Sequence, residues 1–192
     1  MKEILLIKNG EIALKGLNRS TFEDMLIKNI KTALKGLGLI RVKRAQSTIY
    51  VSPVYDDYDM DEAVERIKKV FGIAAFSRAA VCEKDMDTIL KTAVEYLKDD
   101  LEFVKTFKVE AKRADKKFPL KSPEICRETG AAILQNYHHL KVDVHNPDVT
   151  VMVEVRDFGA YVHVNQIQGA GGMPVGTGGN AASLISGGID SP

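Results

Sequence analysis

Apolar and polar positions change period several times over the first 80 residues. "EILLIK" (Glu3 to Lys8) is a short apolar run closed by the turn pair Asn9-Gly10, which predicts a strand. From Ser20 the period lengthens. Phe22, Leu26, Ile30, Ala33, Leu34 and Leu37 recur every three or four residues, the spacing of an amphipathic helix, and Ser20-x-x-Glu23 has capping-box form at its start. Gly36 and Gly38 mark its end. "LIRVKRA" and "STIYVS" then alternate with period two, as a half-buried strand pair does. A second helical pattern, "DMDEAVERIKKVFG", turns Ala63, Val64, Ile67, Val70 and Phe71 inward, and "IAAFSRAAV" returns to strand.

The order β-α-β-β-α-β over residues 1–80 is the split, ferredoxin-like arrangement, an α+β fold. At Asp85 the series restarts. Met86, Ile89, Leu90, Ala93, Val94 and Leu97 have helical spacing, followed by the strand "TFKVEAKR" and a basic loop through Pro119. A third helical pattern runs from Ser122 to about Tyr137 with Pro123 at its first position, where the missing N–H costs nothing. "VTVMVEVRD" and "AYVHVNQI" read as strands joined across Phe158-Gly159, which completes an α/β unit over 81–167. Six glycines between Gly169 and Asn180 exclude a helix or strand interior, so 168–180 reads as a connector. "AASLI" begins a further strand, and 181–192 opens a new unit.

Composition narrows the class. A chain of 192 residues with 45% hydrophobic and 28% charged residues is long enough for one large domain or two smaller ones and excludes a disordered chain. Cys82 and Cys126 are too few for a disulfide framework and read as small buried hydrophobes. With no basic-apolar leader and no membrane-length apolar run, a reducing cytoplasm is expected. His138, His139, His145 and His163 have no metal-ligand spacing with the cysteines, so no zinc site is expected.

Net charge is only +1, but its distribution is uneven. From Lys105 to Arg127, eight cations (Lys105, Lys108, Lys112, Arg113, Lys116, Lys117, Lys121, Arg127) face three acids, Glu110, Asp115 and Glu124. Such a patch is either a solvated face or the footprint of a polyanion. Phe118 interrupts the run, and the helix after it opens with free N–H groups that suit a phosphate. The Phe118 ring is either a core anchor or a platform for an unpaired base. Near the N-terminus, "GEIALKGLNR" places Lys15 and Arg19 around Gly16, as a solvated turn or a second anion contact.

The chain closes with "SLISGGIDSP". A strand ending in Ser-Gly-Gly-x-Asp-Ser lets backbone N–H groups approach an anion, and adjacent hydroxyls add donors. It lacks the lysine of a Walker A loop, and a plain Gly-Gly turn into a capped helix has the same residues.

"SGGIDSP" resembles the PP-loop of ATP pyrophosphatases. Within that group, "GEIALKGLNR", "FKVEAKRADKKFPLKSPEICRETGAAI", "VDVHNPDVTVMVEVRDFGAYV" and "GGMPVGTGG" are together similar to the tRNA 4-thiouridine synthetase family, in the same order. The resemblance implies a ferredoxin-like domain, then a THUMP RNA-binding domain, then a Gly-rich linker into a PP-loop domain of which this chain carries only the start. It implies ATP with Mg²⁺ at Leu184, Ile185, Ser186, Gly187, Gly188, Asp190 and Ser191. It implies tRNA, through its 3′ end and acceptor region, at Lys15, Arg19, Lys112, Arg113, Lys116, Lys117, Phe118, Lys121 and Arg127. The implied reaction adenylates a tRNA uridine at its C4 oxygen and replaces that oxygen with persulfide sulfur. Expected partners are a cysteine desulfurase, the sulfur carrier of thiamine synthesis and a second copy of the chain. The catalytic cysteines of the family lie beyond residue 192, so this chain is expected to bind tRNA without catalysis. The alternatives are a non-catalytic THUMP adaptor, or the RNA-binding part of another RNA-modifying enzyme such as a methyltransferase.

Overall fold

A computed structural model describes residues 1–10, 12, 16–45, 47–180 and 182, with Asn9 and Leu17 described by backbone alone. The ferredoxin-like half comprises β1 (Glu3–Asn9), a 3-10 turn (Gly16–Asn18), α1 (Arg19–Ala33), β2 (Ile40–Ala45), β3 (Thr48–Pro53), α2 (Met60–Ile67) and β4 (Ile73–Cys82). The second half comprises α3 (Met86–Tyr96), α4 (Lys98–Glu102), β5 (Thr106–Arg113), α5 (Ser122–Asn136), β6 (Lys141–Val142), β7 (Val149–Arg156), β8 (Gly159–His163) and β9 (Ile167–Gln168).

All the described strands belong to one sheet, in the order β2-β3-β1-β4-β8-β7-β5-β6, with β9 on β4. The join is β4. Ile73 and Ala75 to Ala80 pair with β1, and Ala80 to Cys82 pair with β8. A boundary at residue 80 therefore falls inside a strand. The apolar and small residues of "IAAFSRAAVC" suit this place, since β4 lies inside the sheet and residues on both of its faces are buried.

The helices cover one face, in two clusters. In one, Leu5, Ile7, Ile49, Val51 and Phe76 meet Leu26 and Ile30 of α1 and Ala63 and Ile67 of α2. In the other, Phe107, Val151, Val153, Val155 and Val162 meet Ile89 and Ala93 of α3 and Ile125 and Ile133 of α5. A third buried cluster, Ile4, Leu6, Tyr50, Ala79 and Tyr161, consists of strand residues alone and lies on the opposite face. That face carries no helix among the described residues.

The sequence pattern locates most elements but misses local detail. The helix expected from Ser20 starts at Arg19 with Asn18 as its N-cap, and Asn18 makes no side-chain cap bond. Glu23 does not close a capping box, because it is buried against Arg19 and Arg44. Phe71 is 52% exposed rather than inward, because α2 ends at Ile67 and Gly72, at φ +98°, swings the chain into β4. The long pattern after Asp85 divides at Leu97 into α3 and α4. Pro123 is the second residue of α5, not the first.

The Gly-rich segment is docked rather than loose. Gly72 N donates to Gly171 O at 2.7 Å, Gly171 N to Ile73 O at 2.8 Å, and Gly169 N to Ala74 O at 3.0 Å. Asn29 of α1 donates to Val175 O at 3.0 Å. Glycine permits this approach, since a Cβ on Gly169 would lie 2.3 Å from Ile73 O. No helix among the described residues is long and apolar enough to cross a membrane.

Candidate nucleic-acid interface

The cationic stretch occupies β5, the loop after it and the first turns of α5. In β5, Phe107, Val109 and Ala111 pack toward α3 and α5, so strand alternation turns Lys108, Glu110 and Lys112 to the helix-free face. The loop is built by its own polar groups. Ala114 N donates to Val155 O, Lys117 N donates to Asp115 Oδ1 at 2.9 Å, and Lys84 Nζ reaches Asp115 Oδ2 at 2.7 Å. The Lys84 ammonium and the Lys117 N–H hold the Asp115 carboxyl below the usual range. At the head of α5, Glu124 accepts from Lys121 N at 2.7 Å, so a carboxylate already lies beside the N-terminal turn.

Lys116, Lys117 and Lys121 project exposed from this loop, with Lys112 exposed on β5 and Arg127 exposed on α5. The other members of the run do not join them. Lys105 precedes the opposite end of β5, about 25 Å away at strand spacing. Lys108 is paired with Glu110 at 2.7 Å. Arg113 donates from Nη1 to Lys116 O at 3.5 Å and Phe118 O at 3.1 Å, and so clamps the loop. Phe118 is a correction to the expected base contact. Its ring is 5% exposed in the core with Ile125 and Val155, because the loop folds back over the β5–α5 layer.

Arg19 is likewise not a free cation. Its Nε meets Glu23 Oε1 at 2.8 Å and its Nη2 donates to Ser47 Oγ at 2.8 Å, tying α1 to the β2–β3 turn. Lys15 lies outside the described residues, as do Leu184, Ile185, Ser186, Gly187, Gly188, Asp190 and Ser191. Burial pushes the Cys82 thiol up to about 11 and the Cys126 thiol up as well, so neither is a thiolate at neutral pH.

A polar cluster on the helix-free face escapes sequence reasoning. Glu154 of β7 is 1% exposed; Lys8 of β1 reaches it at 3.2 Å, and Arg156 at 3.0 Å from Nε and 2.5 Å from Nη2. His163 Nε2 stands 3.8 Å from the same carboxylate, and its Nδ1 lies 2.6 Å from the Val164 carbonyl oxygen. Burial alone would raise the Glu154 pKa, but His163, Lys8 and Arg156 outweigh it and hold the carboxyl far below its usual range. The available signal was one acid in the otherwise apolar run "VTVMVEV".

On the helix-covered face a second cluster links the halves. Arg78 of β4 grips Glu3 with Nε at 2.7 Å and Nη2 at 2.8 Å, and reaches Asp61 of α2 at 2.5 Å. Tyr96 of α3 donates to Glu3 at 2.7 Å. Ion pairs on both sides of the sheet thus reinforce the shared strand.

Residues 4–77 match the model of the ThiI ferredoxin-like domain, and residues 83–165 match that of the THUMP domain. The chain carries a ThiI ferredoxin-like domain followed by a THUMP domain. A probable tRNA sulfurtransferase of Thermoanaerobacter sp. (strain X514) is 52% identical over 192 residues, and one of Acetivibrio thermocellus is 48% identical over 194. Each match takes in 100% of this chain and 49% of the relative, so the chain spans about half the length of these relatives. A 4-thiouridine synthetase solved in complex with RNA and with bound ATP superposes with a TM-score of 0.85 at 38% identity, over 100% of this chain and 48% of that one. PH1313 from Pyrococcus horikoshii superposes with a TM-score of 0.79 at 28% identity, over 92% of this chain and 58% of its own. In this ThiI-type chain the ferredoxin-like and THUMP units share one sheet, and the lysine-bearing loop belongs to the THUMP half.

Proposed function

We propose that this chain is the tRNA-holding region of a tRNA sulfurtransferase, and that the single-stranded 3′ end of tRNA meets the loop after β5. The observation that carries this is the exposure of Lys116, Lys117 and Lys121 on one loop whose only acid, Asp115, is already neutralised by Lys84. Lys112, on the helix-free face of β5, and Arg127, on α5 across the sheet, add exposed cations on either side of the loop. Unpaired phosphates would exchange their counterions for these ammonium groups, so binding weakens as salt rises.

The complete protein, in this proposal, works in the cytoplasm as a homodimer. ATP with Mg²⁺ at Leu184 to Ser191 would supply the adenylation that turns the uridine C4 oxygen into a leaving group. Sulfur from a cysteine desulfurase then replaces it, and the same sulfur route serves the carrier protein of thiamine synthesis. Residues 1–80 and 81–167 act as the two domains that bind and orient RNA, 168–180 leads to the nucleotide domain, and the chain by itself performs no thiolation.

The test is a titration of the chain with tRNA that has, or lacks, its 3′ tail, across a range of salt concentrations. The intact tRNA is expected to bind more tightly. Replacing Lys116, Lys117 and Lys121 by Gln should lower the salt slope by about 2, at roughly 0.7 per single-strand phosphate contact. Equal affinity for both tRNAs with no salt dependence would overturn the proposal.

A further inference from the structure

The helix-free face carries a second feature, remote in sequence from the THUMP loop. Between β2–β3 and β4–β8 runs a groove of about 230 Å³, bordered by Lys2, Arg41, Lys43, Tyr50, Phe158 and Tyr161. Register explains the set. Arg41 pairs with Ser52 and Lys43 with Tyr50 across β2–β3, so these side chains share the face that Tyr161 joins from β8. Tyr50 and Tyr161, ring centroids 5.6 Å apart and each 5% exposed, form a closed floor. Phe158, in the β7–β8 turn, stands over it 60% exposed, edge-on to Tyr50 at 6.5 Å, with Lys43 Nζ 5.1 Å from its ring centre.

Two observations set this groove apart from an ordinary surface. Among the other cations of this face, Lys8 and Arg156 pair with Glu154 and Lys108 pairs with Glu110, while Lys112 stands exposed on β5. No acid lines the groove, and none of the ion pairs among the described residues involves Lys2, Arg41 or Lys43. A turn residue, moreover, has no need of an exposed aromatic ring, since turns favour Gly, Asn, Asp and Ser. An unscreened set of cations beside an accessible ring has the chemistry of a single-strand site, in which phosphates meet the cations and a base meets the π-face. The groove is also too small for a packed α-helix, about 10 Å across, which argues against a helical peptide as occupant.

We propose that this groove binds an unpaired stretch of RNA, with one base stacked on Phe158 and flanking phosphates on Arg41, Lys43 and Lys2. The proposal rests on the RNA-binding reading above but assigns a separate contact, in the ferredoxin-like half and the β7–β8 turn. It adds a point of grip that the cationic loop does not supply, and it divides the work between stacking and charge.

The experiment measures binding of a fluorescently labelled single-stranded RNA by anisotropy, using the whole chain at several salt concentrations. Phe158→Ala should weaken binding roughly fivefold to 150-fold, the usual loss for one stacked base, with the salt slope unchanged. Phe158→Tyr should retain affinity. Arg41→Gln with Lys43→Gln should lower the slope by about 1.4. All three positions are exposed or half-buried on the surface, and circular dichroism checks that each variant is folded. If the parent chain binds RNA, and Phe158→Ala and the double Gln variant match it in affinity and slope, the groove proposal is overturned while the loop reading stands. If the parent chain binds no RNA, the function proposed above fails first. Binding of an acidic peptide that depends on Phe158, with RNA indifferent to it, would also overturn the groove's assignment.

Discussion

Replacing Glu154 by Gln keeps the side chain's shape and removes its charge. In the parent chain the carboxylate is 1% exposed and accepts from Lys8 at 3.2 Å and from Arg156 at 3.0 Å and 2.5 Å. In the variant, Lys8 and Arg156 face a neutral amide. Burial lowers the Lys8 pKa, and the nearby charges of Arg156 and Lys112 add to that; only Glu154 opposes them. Breaking a buried ion pair on one side costs about 3–5 kcal/mol. The Lys8 and Arg156 side chains retain 22% and 12% exposure, so water recovers part of the loss. The expected destabilisation is about 2–3 kcal/mol, a discounted form of that range. Urea unfolding at pH 7 measures it as a lowered midpoint with unchanged slope. The pH dependence carries the sign. The folded Glu154 carboxyl titrates far below its unfolded value of about 4.3, so its stabilisation is complete above that pH and disappears as pH falls toward the folded value. The gap between parent and variant should therefore narrow below about pH 4.3. Lys8→Met should also cost less in the Glu154→Gln background than in the parent. A loss under about 0.5 kcal/mol at pH 7, within the scatter of ordinary surface changes, or a gap that stays constant down to acid pH, would refute the reasoning.

Two further outcomes follow from packing. Phe118→Ala should destabilise the chain by about 3–5 kcal/mol, as expected for truncating a buried ring, while Phe118→Leu should leave the salt slope of RNA binding unchanged; loss of RNA affinity in a stable Leu variant would return the ring to the interface. Gly169→Ala should cost about 1–3 kcal/mol by forcing a Cβ against Ile73 O and should expose the segment through Val175 to proteolysis, seen as a new cleavage before global unfolding; an unchanged digestion pattern would mean that this segment is held elsewhere.

The pattern of a few neighbouring residues was enough to place β1, β5 and α5, because whether a side chain points up, down or around an element depends on its own φ and ψ and those of its neighbours. "TFKVEAKR" is a strand from its first residue to its last, and "IAAFSRAAV" lies within β4 as its apolar residues predict. The same local information could have removed Arg19 from the candidate contacts, since Glu23 stands four residues on, at the spacing of a helical ion pair. It could not have removed Phe118. That ring is buried by β7 and α5 together, and the loop that carries it is clamped by Arg113 and by Lys84 from the far side of α3.

What the sequence by itself determined is the kind and order of the elements and the existence of a cationic loop after β5. Only the tertiary structure decided which charges remain free. Lys8 and Glu154 are 146 positions apart, and Lys43 meets Phe158 across 115. Whether a cation is neutralised, a ring is buried or a face is left bare depends on which strands become neighbours. That pairing comes from burying apolar area across the whole sheet, which no window of adjacent residues records.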